Sequence, residues 1–205
     1  MKTVDFYFDL SSPWTCLAFH NIQPIIKEND AAIIWKPFLV GGVFNAVNQD
    51  VYAARENPDN RKVVHSFRVL KDWAALAGLP MNFPSAHHPV KSVHAMRLCS
   101  ALEEDQAALH KFATAAFQAY YGEQRNLDDP EVLIAIANQV GLDGTALAAR
   151  TQEQAIKDRL RANTEEAIAR GAFGSPSIFV PFGEGERMYF GNDQLPLVNW
   201  AIKQG

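Results

Sequence analysis

Residues 6–16 are Phe6-Tyr7-Phe8-Asp9-Leu10-Ser11-Ser12-Pro13-Trp14-Thr15-Cys16, and this stretch decides the fold. The apolar and aromatic run at 4–8 predicts a short buried strand. The Ser-Ser-Pro that follows predicts a helix start, with Ser12 as the N-cap and Pro13 as the first helical residue. The strand therefore delivers the Ser12 hydroxyl to a helix N-terminus, which favours an anion such as a phosphate, a carboxylate or a thiolate. An ordinary well-capped helix has the same local sequence.

The composition limits the class of protein. With 205 residues, 48% of them hydrophobic, the chain can bury one substantial core, or a core with an inserted subdomain. No apolar run approaches the roughly 18 residues that cross a bilayer, and no basic region precedes a long apolar stretch, so we expect no transmembrane helix, no signal peptide and a cytoplasmic location. The net charge of −4, without a cluster of Lys and Arg, argues against nucleic acid and membranes as partners and favours a small ligand.

The cysteines and histidines do not form a recognisable metal or redox motif. Cys16 and Cys99 are the two cysteines of the chain, and neither has another cysteine two residues away. Their apolar neighbours predict buried free thiols. His87-His88 and His94 offer nitrogen ligands, but no carboxylate or cysteine nearby completes a set, so we expect a solvated loop and no metal.

The first part of the chain has the pattern of a βαβ unit. A helix is predicted from Pro13 to about Glu28, and the apolar run at 31–38 predicts a second strand. A crossover of this kind gives parallel, right-handed pairing of the two strands. Pro37 cannot donate a hydrogen bond to a sheet, so we expect the second strand at the sheet edge.

The middle of the chain, from about residue 44 to Gly171, is predicted to be helical. The clearest helix has apolar residues at i, i+3, i+4, i+7, i+8, i+11 and i+12 between Leu109 and Tyr121. Thr151 and Gln154 are predicted to start a long charged helix as a capping box.

The last part returns to strands. Two short runs at 177–180 and 187–190, joined by a glycine-containing turn, predict a hairpin. A closing helix is expected from about Asp193 to Lys203. Asn192 is its predicted N-cap, and its N-terminus is a second position that favours an anion.

Together the elements form β-α-β, a helical block and β-β-α, an order that predicts a thioredoxin-like α/β fold. Residues 1–43 and 172–205 would share one four-stranded mixed sheet, and residues 44–171 would be a large all-helical insertion. Ser175-Pro176 precedes the third strand and is a candidate cis peptide, because X–Pro is the bond whose cis form costs least. In such folds this proline lies beside the first helix, so Ser12 and Ser175 are expected to face one another across a pocket.

Four motifs stand in a fixed order along the chain: Asp5-Phe6-Tyr7-Phe8-Asp9 through Ser12-Pro13, Pro37-Phe38-Leu39-Val40-Gly41-Gly42 with Asn48 beyond, Gly171-Ala172-Phe173-Gly174-Ser175-Pro176, and Phe190-Gly191-Asn192-Asp193. In this order they resemble the 2-hydroxychromene-2-carboxylate isomerases and the kappa-class glutathione transferases, which belong to the DsbA-like branch of thioredoxin folds. The resemblance extends over essentially the whole chain.

The resemblance implies a glutathione site on the thioredoxin-like half. Ser12 would donate a hydrogen bond to the thiolate of the cofactor, and the Ser175 backbone would pair with the cysteinyl backbone. Asn192 and Asp193 would hold the γ-glutamyl end. The residues that match the family's glutathione contacts are Ser12, Asn48, Ser175, Pro176, Asn192 and Asp193.

Several residues depart from the family pattern. Gln194 stands where many members have arginine, which removes a carboxylate clamp. Ser175 replaces an apolar residue, and Lys91 stands near a position where asparagine is frequent. Ser12 and Thr15 occupy the two cysteine positions of redox relatives, so dithiol exchange is excluded there.

The leading hypothesis from the resemblance is a glutathione-dependent isomerase of aromatic catabolism. It would act on an unsaturated aromatic oxo or hydroxy acid through reversible addition of the glutathione thiolate. His87, His88, Lys91 and Arg97 would border the substrate mouth and meet the carboxylate of the acid. The alternatives are a kappa-like glutathione transferase or peroxidase, and a non-catalytic DsbA-like protein that binds peptides. The family also leads us to expect a homodimer.

Overall fold

The opening stretch forms the predicted strand and helix. The computed structural model describes residues 2–52 and 59–204 of the chain. Strand β1 spans Thr3–Phe8 and helix α1 spans Pro13–Glu28. Ser12 is the N-cap of α1, with its side chain accepting a hydrogen bond from the N–H of Thr15, and Pro13 is the first helical residue. This start confirms the prediction, since a proline at the first helical position loses no hydrogen bond.

The remaining elements also follow the predicted order. They are β2 (Ala32–Pro37), α2 (Val40–Val47), α3 (Arg61–Ala77), α4 (Val93–Ala101), α5 (Gln106–Phe117), a π-helical turn (Gln118–Gly122), α6 (Pro130–Gln139), α7 (Gly144–Arg150), α8 (Gln154–Ala169), β3 (Ser177–Phe182), β4 (Gly185–Phe190) and α9 (Leu195–Gln204). The described residues between β2 and β3 contain helices and no strand, as predicted.

The four strands form one mixed sheet in the order β2-β1-β3-β4. β1 pairs with β2 in parallel and with β3 antiparallel, and β3 pairs antiparallel with β4. β2 lies at the sheet edge, as Pro37 predicts. The βαβ unit and the terminal hairpin thus share one sheet, which confirms the thioredoxin-like α/β fold.

Side chains of β1 alternate between two buried layers. Phe6 and Phe8 belong to the large core, together with Phe19 of α1 and Trp35 of β2. Tyr7 points to the other face, into a smaller cluster with residues of α2, α8 and β3. The sheet therefore has helices on both faces, and both clusters hold β1 in place.

The large core is continuous across the boundaries predicted at 43/44 and 171/172. Leu70, Phe112 and Tyr121 of the helical segment are buried in the same cluster as Phe6 of the sheet. The division of the chain into a thioredoxin-like part and an inserted helical domain stays a prediction.

Two predicted helix starts are wrong. The long charged helix α8 begins at Gln154 after Glu153, and the Thr151 hydroxyl instead donates to the carbonyl of Ala148 at 2.7 Å. Thr151 thus ends α7 and does not form a capping box. The closing helix α9 begins at Leu195, two residues later than predicted, and the Asn192 side chain does not cap it, because it bonds to Asn21 of α1.

Candidate active site

Ser12 lies where β1 meets α1, and its hydroxyl makes two hydrogen bonds. Its oxygen accepts a hydrogen bond from the N–H of Thr15 at 3.2 Å, and its O–H donates to the carbonyl oxygen of Ser175 at 3.0 Å. Within the described α1, the first turn contains no acidic residue. The helix itself therefore supplies no negative charge to its N-terminus, and the partly exposed Ser12 lies where an anion is stabilised.

The Ser175-Pro176 peptide bond is cis, as predicted, and it lies against the start of α1. The Ser175 hydroxyl accepts from the N–H of Asp9 at 3.0 Å and lies 2.8 Å from the hydroxyl oxygen of Thr15. Ser12 and Ser175 are in direct contact through the Ser175 carbonyl, whereas the sequence analysis placed a pocket between them. The hydroxyl of Ser175 fixes its segment to both Asp9 after β1 and Thr15 of α1.

Both cysteines are free and buried, which confirms the prediction. Burial raises the pKa of the Cys16 thiol to about 12. Burial, together with the nearby carboxyl of Asp9, raises the pKa of Cys99 well above its ordinary range. Neither thiol is therefore a nucleophile at neutral pH.

We expect Cys16 and Cys99 in the native protein to react with iodoacetamide at least about 100-fold more slowly than in guanidinium-unfolded protein, because both the thiolate fraction and the access are low. Mass spectrometry of timed samples at neutral pH measures the two rates separately. Rapid alkylation of native Cys16 would contradict the inert role given to it.

The other predicted glutathione contacts connect to this centre through hydrogen bonds. Asn48 ends α2 and donates its side-chain N–H to the carbonyl of Phe173 at 2.9 Å, two residues before Ser175. On the other side of the proline, the N–H of Gly191 donates to the carbonyl of Pro176 at 3.3 Å. The segments that carry Asn48, Ser175 and Asn192 are therefore neighbours in space.

The three side chains before α9, at positions 192–194, point in different directions. Asn192 is 1% exposed, and its side-chain oxygen accepts from Asn21 at 2.8 Å. Its amide nitrogen has no hydrogen-bond partner among the described residues. Asp193 is exposed, and Gln194 turns back to accept from the N–H of Phe190 at 2.9 Å. The side chain of Asn192 is thus directed into the protein.

A cavity of about 440 Å³ opens beside this centre. Ser11, the start of α2 and the loop before α4 form its walls. His88 and Lys91, two of the four residues expected at the substrate mouth, line it, and so does His94. His87 and Arg97 are not among the described residues that line it. The cavity has Lys91 as a positive charge and Asp128 as a negative charge next to apolar walls that include Leu39, Phe44 and Val90.

Asp9 is a residue of this region to which the sequence analysis gave no role. Its side chain is fully buried. Burial raises the pKa of the carboxyl, while hydrogen bonds from Ser11, Val40 and Ser92 offset part of that rise. The sequence signal was an aspartate directly between a buried strand and the Ser-Ser-Pro of a helix start.

The described part of the chain contains neither a cluster of metal-ligating side chains nor a membrane-spanning helix. Across residues 2–52 and 59–204, no three His, Cys, Asp or Glu side chains approach one another as metal ligands do. In the same residues, no helix combines the length and the apolar character that crossing a membrane requires.

Comparison with known proteins assigns the fold and the relatives. The family model of the DSBA-like thioredoxin domain matches residues 3–203. A 2-hydroxychromene-2-carboxylate isomerase of Sphingobium xenophagum is 30% identical over 201 residues, covering 95% of this chain and 94% of the relative. Glutathione s-transferase kappa 2 of Caenorhabditis elegans is 25% identical, covering 96% and 90%.

A solved structure agrees with these sequence matches. The structure of a 2-hydroxychromene-2-carboxylate isomerase superposes with a TM-score of 0.80 at 25% identity, over 98% of this chain and 94% of that one. The named relatives are thus isomerases and glutathione transferases, both of them enzymes. The chain belongs to the DSBA-like thioredoxin family and, within it, to the group formed by the 2-hydroxychromene-2-carboxylate isomerases and the kappa-class glutathione transferases.

Proposed function

We propose that this protein is a glutathione-dependent isomerase of the 2-hydroxychromene-2-carboxylate isomerase type. The observation that carries the proposal is the Ser12 hydroxyl, which caps α1 and touches the carbonyl before the cis proline. When bound, glutathione supplies a thiolate that adds reversibly to an unsaturated aromatic acid.

The residues around Ser12 fit a thiolate. A free cysteine thiol has a pKa of about 8.5, and both a hydroxyl donor and a helix N-terminus stabilise its charged form. Ser12 provides the hydroxyl and α1 provides the N-terminus. Thr15, at the position of the second redox cysteine, is fully buried and hydrogen-bonded to Ser175, so it supports the site without taking part in thiol exchange.

The single proton of the Ser12 hydroxyl has to change partners when it donates to a thiolate. In the structure it is donated to the carbonyl of Ser175, whose residue is 6% exposed. A buried carbonyl that loses its donor is costly, so the ligand has to bring an N–H group in return. The cysteinyl amide of glutathione supplies such a donor close to its sulfur.

We assign the rest of glutathione to the segments that carry Asn48, Asn192 and Asp193. Asp193 is exposed near the cis proline, and its carboxylate suits the γ-glutamyl ammonium. For Asn192 we assign the backbone at the start of α9, because the side chain is turned inward. Asn48 lies against Phe173 and contributes its amide from the side of α2.

The cavity beside Ser11 is assigned to the aromatic acid. Its volume of about 440 Å³ suits a bicyclic molecule, and Lys91 offers a partner for a carboxylate. The acid would therefore lie next to the segment that holds the thiolate.

A kappa-like glutathione transferase or peroxidase is the second candidate, because the kappa-class relatives also align with nearly the whole chain. It would use the same Ser12 centre and end with the sulfur attached to the product or oxidised. We also propose, from the family, that the protein acts in aromatic catabolism, in the cytoplasm, as a homodimer.

The experiment that tests the proposal compares two reactions of the purified protein. We expect glutathione to support isomerisation of 2-hydroxychromene-2-carboxylate, followed by ultraviolet absorbance, without net loss of thiol. S-methylglutathione, which lacks the nucleophile, is the matched control and should support no turnover. Faster conjugation to chlorodinitrobenzene than isomerisation would favour the transferase. No reaction, and no rise in melting temperature with glutathione, would favour the non-catalytic protein.

A further inference from the structure

The carboxyl group of Asp9 lies at the meeting point of three segments. One oxygen, Oδ1, accepts from both the N–H and the hydroxyl of Ser11 at 2.9 Å. The other, Oδ2, accepts from the N–H of Val40 at 2.9 Å. The hydroxyl of Ser92 lies near the same carboxyl and stabilises its charged form. Asp9 itself is 0% exposed, so these donors take the place of water.

Ser11, Val40 and Ser92 all line the cavity of about 440 Å³. Ser11 belongs to the turn that carries Ser12. Val40 is the first residue of α2, and Ser92 precedes α4. One carboxyl group therefore ties the turn with the thiol-activating hydroxyl to two separate walls of the cavity assigned to the electrophile.

The N–H of Val40, which donates to Asp9, has no other acceptor within α2. The first N–H groups of a helix have no intrahelical acceptor. The N-cap residue of α2 is Leu39, whose apolar side chain offers no oxygen. Asp9, the residue after β1, thus caps α2, and the position of this wall of the cavity depends on it.

We propose that Asp9 is a positioning residue that fixes the electrophile cavity relative to Ser12. This inference rests on the proposed function. A reaction between a thiolate and a second bound molecule requires both to be held at reaction distance, and a displacement of about 1 Å can cost about 100-fold in rate. Asp9 therefore acts on turnover and has little effect on the binding of glutathione alone.

Asp9→Asn tests the role, because an amide keeps the size but cannot accept hydrogen bonds at both ends. The NH2 group of the asparagine then points its own hydrogens at an N–H or O–H donor of the protein. We expect kcat to fall by about 100-fold, with the Kd of glutathione changed by less than about threefold in calorimetry. Asp5→Asn is the matched control, because Asp5 lies on the same strand but bonds to Arg170. It should leave both values unchanged.

Ser92→Ala removes the neighbouring hydroxyl and provides a milder variant. We expect a smaller fall in kcat with the same unchanged affinity for glutathione. An unchanged kcat in Asp9→Asn and Ser92→Ala, or a loss of glutathione affinity that parallels the loss of kcat, would overturn the proposal.

Hydrogen exchange at the Val40 amide gives a readout that needs no turnover. We expect it to be at least about tenfold faster in Asp9→Asn than in the natural protein or in Asp5→Asn, because this N–H loses its acceptor. If the natural protein has no glutathione-dependent activity, the proposed function fails, but hydrogen exchange at Val40 still tests the role of Asp9. Unchanged exchange at Val40 in Asp9→Asn would refute the positioning role of Asp9.

Discussion

Ser12→Ala is expected to raise the pKa of the bound glutathione thiol by roughly one to two units and to lower turnover by about 10- to 100-fold. A hydrogen bond to a charged group contributes about 1.5–3 kcal/mol, and one pKa unit corresponds to about 1.4 kcal/mol. The helix dipole of α1 remains in the variant, so part of the stabilisation is kept. The ultraviolet absorbance of the thiolate, titrated with pH in the complex, measures the pKa directly.

The sign of the pH dependence follows from the same hydrogen bond. Turnover should follow the thiolate fraction and rise with pH through the pKa of the bound thiol. In Ser12→Ala this rise moves to higher pH by the same roughly one to two units. At a pH well above both values, the two proteins should differ less than at neutral pH.

Two control variants separate the chemistry of Ser12 from its capping of α1. Loss of an N-cap costs about 1 kcal/mol of stability. Asp143 caps α7 by accepting from the N–H of Ala146 at 2.9 Å, the same spacing as Ser12 and Thr15. Asp143→Ala should therefore reproduce the loss of stability with an unchanged thiol pKa, and Ser12→Thr should restore the hydroxyl. An equal thiol pKa in Ser12→Ala and the natural protein would remove Ser12 from the mechanism.

The contact between the Ser12 and Ser175 segments was predictable because each segment has a recognisable local sequence. Ser12-Pro13 marks a helix start wherever it follows a strand, and Ser175-Pro176 before a strand marks a candidate cis bond. The order of strands and helices then brings the two together. What the pattern could not supply was the distance: the serines touch, because the Ser175 hydroxyl is bonded to Asp9 and Thr15 and draws its segment against α1.

The roles of Asp9 and Asn192 were not predictable from the sequence. Val40 donates to Asp9 and the Ser92 hydroxyl lies near it, and both residues are far from Asp9 in the sequence, one at the start of α2 and one just before α4. Asn192 has the residue type of an N-cap, but Asn21 of α1 offers a buried partner that the local sequence does not reveal. The tertiary bond replaces the local cap in Asn192, whereas in Asp9 it is added to a local bond with Ser11.

In the proposed complex the Ser12 hydroxyl donates to the thiolate and no longer to the Ser175 carbonyl. This change of acceptor predicts which ligands the site binds well. A glutathione analogue with an ester oxygen in place of the cysteinyl N–H is expected to bind at least about tenfold more weakly than glutathione. With this analogue, the Ser12 hydroxyl either stays on the Ser175 carbonyl and leaves the thiol unactivated, or moves and leaves a buried carbonyl without a donor. The pKa of its bound thiol should therefore be lowered less.

The matched control is the analogue with the ester at the glycyl position, which keeps the cysteinyl N–H and changes the same number of atoms. Calorimetry gives the affinities of the two analogues, and thiolate absorbance gives their thiol pKa values. Equal affinities and equal pKa values would show that the ligand does not replace Ser12 at the Ser175 carbonyl. A deficit confined to the cysteinyl ester would mean that thiol activation at Ser12 depends on capture of the ligand backbone, so that simple thiols are not activated in this site.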